Sequence, residues 1–128
     1  MALNYVTVGS NDVVRARGFY DAVLPVIGGH VVMEILPHAL CYQLRGGGRI
    51  WVTAPQDGAA AVPGNGVMVG LMCADPDEVR AAHAAGLKAG GTSAGDPGPR
   101  PIYGPDFFGG YLRDLDGNKL SLVHFPDG

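Results

Sequence analysis

The 128-residue chain predicts an α+β fold built from two tandem βαβββ modules. Three observations carry that expectation. The apolar period changes from alternation to three- and four-residue spacing and back, twice along the chain. Two helix-capping acids, Asp12 and Asp75, stand 63 positions apart. A double glycine closes each helical stretch, Gly28-Gly29 and then Gly90-Gly91, with a 62-residue offset. Neither unit could bury a sheet face alone, so pairing the two makes one core. The expected organisation is one domain over residues 1–128, with module 1 at about 1–60 and module 2 at about 64–128.

The elements follow in order. Residues 3–9 alternate and are rich in β-formers, which predicts a strand. Ser10-Asn11-Asp12 supplies capping side chains, and from Val13 the stripe Val13, Ala16, Phe19, Tyr20, Val23, Leu24 predicts a helix that Pro25 and Gly28-Gly29 end. Strands are expected at 30–36, 40–45 and 49–54, parted by Pro37 and the Gly46-Gly47-Gly48 turn. Residues 55–65 have the composition of a linker. The order then repeats. A strand is expected at 66–73 and a helix from Asp75, with Pro76 at its first position and a stripe of Val79, Ala82, His83 and Leu87. A Gly/Pro-rich loop is expected at 92–100, and strands at 101–104, 107–113 and 119–125, the last two joined by the turn Asp116-Gly117-Asn118.

Composition narrows the function classes. Apolar residues are 47% and charged residues 16%, an ordinary globular balance. The formal net charge is −3 and the nine basic residues are scattered, so no basic stripe for nucleic acid is visible. No apolar run is long enough to span a membrane. The start, Met1-Ala2-Leu3-Asn4, lacks a secretory pattern, and Cys41 and Cys73 lie in apolar runs. These features set the expectation of a cytoplasmic protein with reduced, buried thiols. Gly46-Gly47-Gly48 lacks the lysine and following helix of a phosphate loop, and no nucleophile elbow or Cys/His dyad is recognisable.

The helix opening Ser10-Asn11-Asp12 with Phe19-Tyr20, and the ending Gly98-Pro99-Arg100-Pro101-Ile102-Tyr103 followed by Arg113-Asp114-Leu115-Asp116-Gly117-Asn118-Lys119-Leu120, resemble the vicinal-oxygen-chelate superfamily, which comprises glyoxalases, bleomycin-resistance proteins and ring-cleaving dioxygenases. The resemblance spans essentially the whole chain. It implies curved mixed sheets around a cup, and commonly a homodimer that completes the cups. It also implies a divalent metal held by His and Glu on the first and last strand of each module. Carried onto this chain, those positions are Tyr5, Trp51, Met68 and Ser121. None is a His or a carboxylate, nor is any neighbour one residue away, so the usual ligand positions are not metal-competent and no cofactor is expected.

The expected role of Tyr5, Trp51, Met68 and Ser121 is therefore to line an apolar cup for a small molecule, with filling of an unused pocket as the alternative. Arg100 either clamps an anion or ties its loop to backbone carbonyls, and Tyr103 is either a pocket hydroxyl or a loop anchor. His38 follows Pro37 at the expected pocket mouth; His30 reads as a surface position, His124 as a surface or dimer-contact position and His83 as a packed core histidine. Phe107, Phe108 and Tyr111 read as core or dimer interface, and Arg113 with Asp114 as a structural pair. Three functions stay open: metal-free binding of a small organic molecule; a metal-dependent lyase or dioxygenase with relocated ligands, similar to lactoylglutathione lyase; and a degenerate structural domain.

Overall fold

The structure, a computed structural model, describes residues 2–126. Strand β1 (Tyr5–Gly9) leads into helix α1 (Val13–Val23) and a single 3-10 turn at Leu24–Ile27. Strands β2 (His30–Ile35), β3 (Ala39–Gln43) and β4 (Arg49–Thr53) complete the first module. The second repeats it with β5 (Met68–Met72), α2 (Pro76–Lys88), β6 (Thr92–Pro99), β7 (Phe108–Arg113) and β8 (Lys119–His124). Each module makes its own four-stranded mixed sheet, in the order β1-β4-β3-β2 and β5-β8-β7-β6, with a parallel pair at β1–β4 and at β5–β8. The two-module α+β architecture expected from the repeat is the one observed.

Both helices begin where the sequence places them. The Asp12 carboxylate accepts the Arg15 N–H at 3.0 Å and that of Asp75 accepts the Glu78 N–H at 2.8 Å, satisfying donors that the first helical turn leaves free. Helix α1 buries Val13, Ala16, Phe19, Tyr20 and Val23, the predicted stripe, while Leu24 already belongs to the 3-10 turn. Helix α2 buries Val79, Ala82, His83 and Gly86. The expected Leu87 is exposed instead, because Leu112 and Phe19 pack against the bare face of Gly86 and turn its neighbour outward.

Two expected elements are corrected. Residues 92–99 are not a loop but the edge strand β6, paired antiparallel to β7 with register shifts around Gly95. An edge strand needs ladder donors on one side only, so Pro97 and Pro99 are tolerated, and the irregularities absorb the glycines. Residues 101–103, expected as part of a strand, form a 3-10 turn. The expected pairing of Arg113 with Asp114 is not made. Arg113 donates to the Gly117 carbonyl at 2.9 Å, and the Asp114 carboxylate turns inward.

The core residues of both modules form one cluster, with α1 packed against α2 and Phe19 entirely buried between them. Each module's hairpin grips the other module's helix. From the second hairpin, Asp114 accepts the hydroxyl of the fully buried Tyr20 on α1. From the first, Arg45 forms an ion pair with Glu78 on α2, whose carboxylate also accepts the Ala74 N–H at 3.0 Å. That pairing holds the Glu78 carboxyl below its usual range. The linker is pinned by Asn11, whose amide donates to the Ala61 carbonyl at 3.0 Å and accepts the Ala61 N–H at 2.7 Å.

Cys41 and Cys73 are buried free thiols. Burial, reinforced by Glu78, pushes the Cys73 thiol from an ordinary 9.0 up to about 12. Below pH 9 the thiol is neutral in both the folded and the unfolded chain, and its contribution to stability is complete. Above that the unfolded chain ionises first, so stability is expected to fall as pH rises towards about 12. Urea midpoints measured on either side of pH 9 check this. Cys73→Ala should flatten the decline, and an unchanged slope would refute the assignment.

Candidate functional site

Alternation along each strand sends one set of side chains to the helices and the other to an open face. On the first sheet the open-face rows, read across paired strands, are Tyr5, Arg49, Gln43 and His30; then Thr7, Trp51, Cys41 and Met33; then Gly9, Thr53, Ala39 and Ile35. On the second sheet they are Met68, Lys119, Arg113 and Thr92; then Gly70, Ser121, Tyr111 and Gly95; then Met72, Val123, Gly109 and Gly98. Tyr5, Trp51, Met68 and Ser121, the four positions singled out by the resemblance, thus lie on open faces. Tyr5 and Trp51 share one sheet, and Met68 and Ser121 share the other.

Met68, Ser121 and Tyr103 line one cavity of about 410 Å³ together with Phe107, Tyr111, Val123 and Phe125. Ser121 forms its floor at 3% exposure, and its strand neighbour Tyr111 forms a side. The far wall is a cluster of rings, with Phe107 centred 5.0 Å from Tyr103 in a tilted contact and 5.2 Å from Phe125 edge to face. Arg100 stands beside this cavity with its guanidinium 5.6 Å from the centre of the Tyr111 ring. Its N–H groups bond the carbonyls of Pro99 at 3.2 Å and Asp96 at 2.7 Å, so the loop-tying reading describes its contacts. His38 sits exposed in the β2–β3 turn of the first module, and Trp51 lies half-buried on β4 of the same module. The structure therefore brings Met68, Ser121, Tyr103 and Arg100 together and leaves Tyr5, Trp51 and His38 on the other sheet.

Several residues at this cavity escaped the sequence reading. Phe107, Tyr111 and Phe125 line it, whereas Phe108 points to the helix side, where Arg80 lies 4.7 Å above its ring. The available signal was the alternation of β7, which places residues 109, 111 and 113 on one face opposite Ser121. His83 is a core residue as expected. It is 4% exposed and bonded to the Ser93 hydroxyl at 3.1 Å, which in turn donates to Asp96.

A divalent metal of the superfamily kind does not fit these donors. The four positions present a phenol, an indole, a thioether and an aliphatic hydroxyl, none suited to a hard or borderline divalent ion. Among the described residues no three His, Cys, Asp or Glu side chains gather elsewhere in a metal-holding group. No helix there is long and apolar enough to cross a membrane.

Family sequence models give no match to this chain, and no functionally curated protein matches it. Solved structures do. A glyoxalase-related enzyme from Fulvimarina pelagi superposes with a TM-score of 0.77 at 21% identity, covering 98% of this chain and 89% of that one. A lactoylglutathione lyase from Agrobacterium tumefaciens does so with a TM-score of 0.67 at 17% identity, covering 95% and 92%. At those identities the likeness shows the fold alone. A glyoxalase/bleomycin resistance protein from Albidiferax ferrireducens is 34% identical, with a TM-score of 0.87 over 98% of this chain and 100% of that one. With that identity over the full length, and with the two-module fold and the open faces already described, the chain belongs to the glyoxalase/bleomycin resistance protein family.

Proposed function

We propose that the protein binds a small organic molecule in its cup without a metal. What supports this reading is the cavity of about 410 Å³ with aromatic walls that Met68 and Ser121 line, together with the absence of any His or carboxylate at Tyr5, Trp51, Met68 and Ser121, the positions the resemblance gives to metal ligands. Such a volume falls within the ordinary range for small-ligand pockets. Rings and thioethers supply flat, adaptable apolar area, and the Tyr and Ser hydroxyls supply orientation.

A second copy of the chain completes the cup in this reading. The open faces carry exposed apolar side chains that a lone chain leaves in water, among them Tyr5 at 55%, Ile35 at 50% and Met72 at 76%. In this reading those side chains belong to an interaction surface. Placing the first sheet of one copy over the second sheet of another would cover both.

Trp51 is the only tryptophan, so its emission reports on the first open face without labelling. Titration with small aromatic compounds is expected to change that emission saturably and to raise the unfolding midpoint, by about 2.7 kcal/mol of stabilisation at a hundredfold excess over Kd. Light scattering on the same sample should give the mass of a dimer. A saturable midpoint rise with Ni²⁺, Zn²⁺, Mn²⁺ or Fe²⁺ would overturn the metal-free reading. Silence to every organic compound would leave a structural domain.

A further inference from the structure

The chain carries 12 Asp and Glu against nine Lys and Arg, yet the charge is not spread evenly. No Asp or Glu occupies any of the open-face strand positions on either sheet. Glu34, the acid within β2, faces the helices and pairs with Arg17 at 2.7 Å. The cations are placed the other way. Arg49 lies on the first open face, and Arg113 and Lys119 sit side by side on the second, joined from the β6 end by Arg100 over Tyr111. Among the described residues, the ion pairs of this protein involve Arg17, Arg45 and Arg80, and none involves Arg49, Arg100, Arg113 or Lys119. The Lys119 ammonium rests 5.4 Å from the centre of the Tyr111 ring instead.

The second open face is also graded along its strands. The row Met68, Lys119, Arg113 is cationic; the row Ser121, Tyr111 presents hydroxyls; the row Met72, Val123 is apolar and adjoins Phe107 and Phe125. Successive rows are two residues apart, so the cationic and apolar ends are separated by about 13 Å. A cavity of about 540 Å³ opens at the cationic end, lined by Arg113, Lys119 and Met68, and Met68 also lines the aromatic cavity. The two cavities thus adjoin at one side chain.

Resting on the reading of the cup as a binding site, we infer that its ligand is an elongated amphiphilic organic anion: a carboxylate or sulfonate head on an aromatic or aliphatic body. The head lies over Lys119 and Arg113, where an ammonium and a guanidinium donate charge-assisted hydrogen bonds. The neck passes Ser121 and Tyr111, and the body fills the space between Val123 and the Phe107–Phe125 pair. The first sheet's open face repeats the gradient, with Arg49, Gln43 and His30 at the corresponding end and Ile35 at the other. A second copy laid over the site therefore adds no carboxylate from its strands.

Two dyes with the same body separate charge from burial: anilinonaphthalene sulfonate, an anion, and phenylnaphthylamine, neutral. The native protein is expected to bind the anion about tenfold more tightly than the neutral dye. Lys119→Met keeps the side-chain length and loses the charge, and should reduce that preference to within about twofold by weakening the anion far more than the neutral dye. Raising the salt should weaken the anion alone, a readout that needs no variant. Equal affinity for both dyes, or a preference untouched by Lys119→Met and by salt, overturns the anion assignment and leaves the cup as a binding site. Failure of both dyes to bind overturns the cup reading as well.

Discussion

Asp114→Ala is expected to lower stability by about 4 kcal/mol and the thermal midpoint by roughly 10–15 °C. The carboxylate is 6% exposed and accepts four hydrogen bonds, from the Tyr20 hydroxyl, the Asp116 and Asn118 N–H groups and the Asn118 amide. Alanine would strand all four donors, and the Tyr20 hydroxyl cannot reach water because its residue is fully buried. Each buried donor left without an acceptor costs about 1–3 kcal/mol, and the exposed ones recover part of that from solvent. The Asn118 amide would lose one anchor of its bond to the Gly9 carbonyl, so the damage reaches β1. Tyr20→Phe removes one of the four bonds and should cost about 2 kcal/mol. Urea denaturation of the two single variants and the double variant gives the coupling. A loss for Asp114→Ala no larger than that for Tyr20→Phe would contradict the hub assignment.

Gly91→Ala is the other large effect, about 3 kcal/mol of destabilisation. A methyl group there would stand 2.5 Å from Phe19 Cε2, 2.8 Å from the Arg113 carbonyl oxygen and 3.0 Å from the Gly86 carbonyl oxygen. The ring could tilt, but the two oxygens cannot withdraw. Gly86 O accepts the Gly91 N–H at 2.9 Å, and Arg113 pairs with Thr92 in the β6–β7 ladder. Gly18 is the control with the opposite sign. It is exposed in the middle of α1 and a methyl there meets nothing within 4 Å, so Gly18→Ala should stabilise by about 0.5–1 kcal/mol. The two midpoints moving in the same direction would show that packing is not what separates these glycines.

The helices were legible because their signals are local: a capping acid, a stripe and a glycine stop lie within one stretch of chain. Strand β6 was not. Thr92–Pro99 has four Gly and Pro in eight residues, and only β7 beside it makes the segment a strand. The exposure of Leu87 likewise depends on Leu112 and Phe19, which reach Gly86 from distant parts of the chain. The candidate site divides along the same line. Tyr5, Trp51, Met68 and Ser121 were named through the family resemblance, and the strand pairing puts all four on open faces. Tyr103 and Arg100 could be named, but the choice between ligand contact and loop anchor was not readable, since the Asp96 and Pro99 carbonyls are set by the bulged course of β6. Lys119 meets the Tyr111 ring diagonally across the β7–β8 hairpin, a contact set by the hairpin's exact register and not by its strands alone.

The reciprocal grip of hairpin on helix bears on how such a repeat can drift. Two identical halves meeting as separate chains must make both grips with the same side chains, so a change in one is a change in both. Here the grips have parted company: a buried hydroxyl–carboxylate contact at Tyr20 and Asp114, and a partly solvated guanidinium–carboxylate pair at Arg45 and Glu78. Covalent fusion removes the demand for sameness. It lets one seam harden into a buried latch while the other stays a partly solvated, salt-sensitive pair.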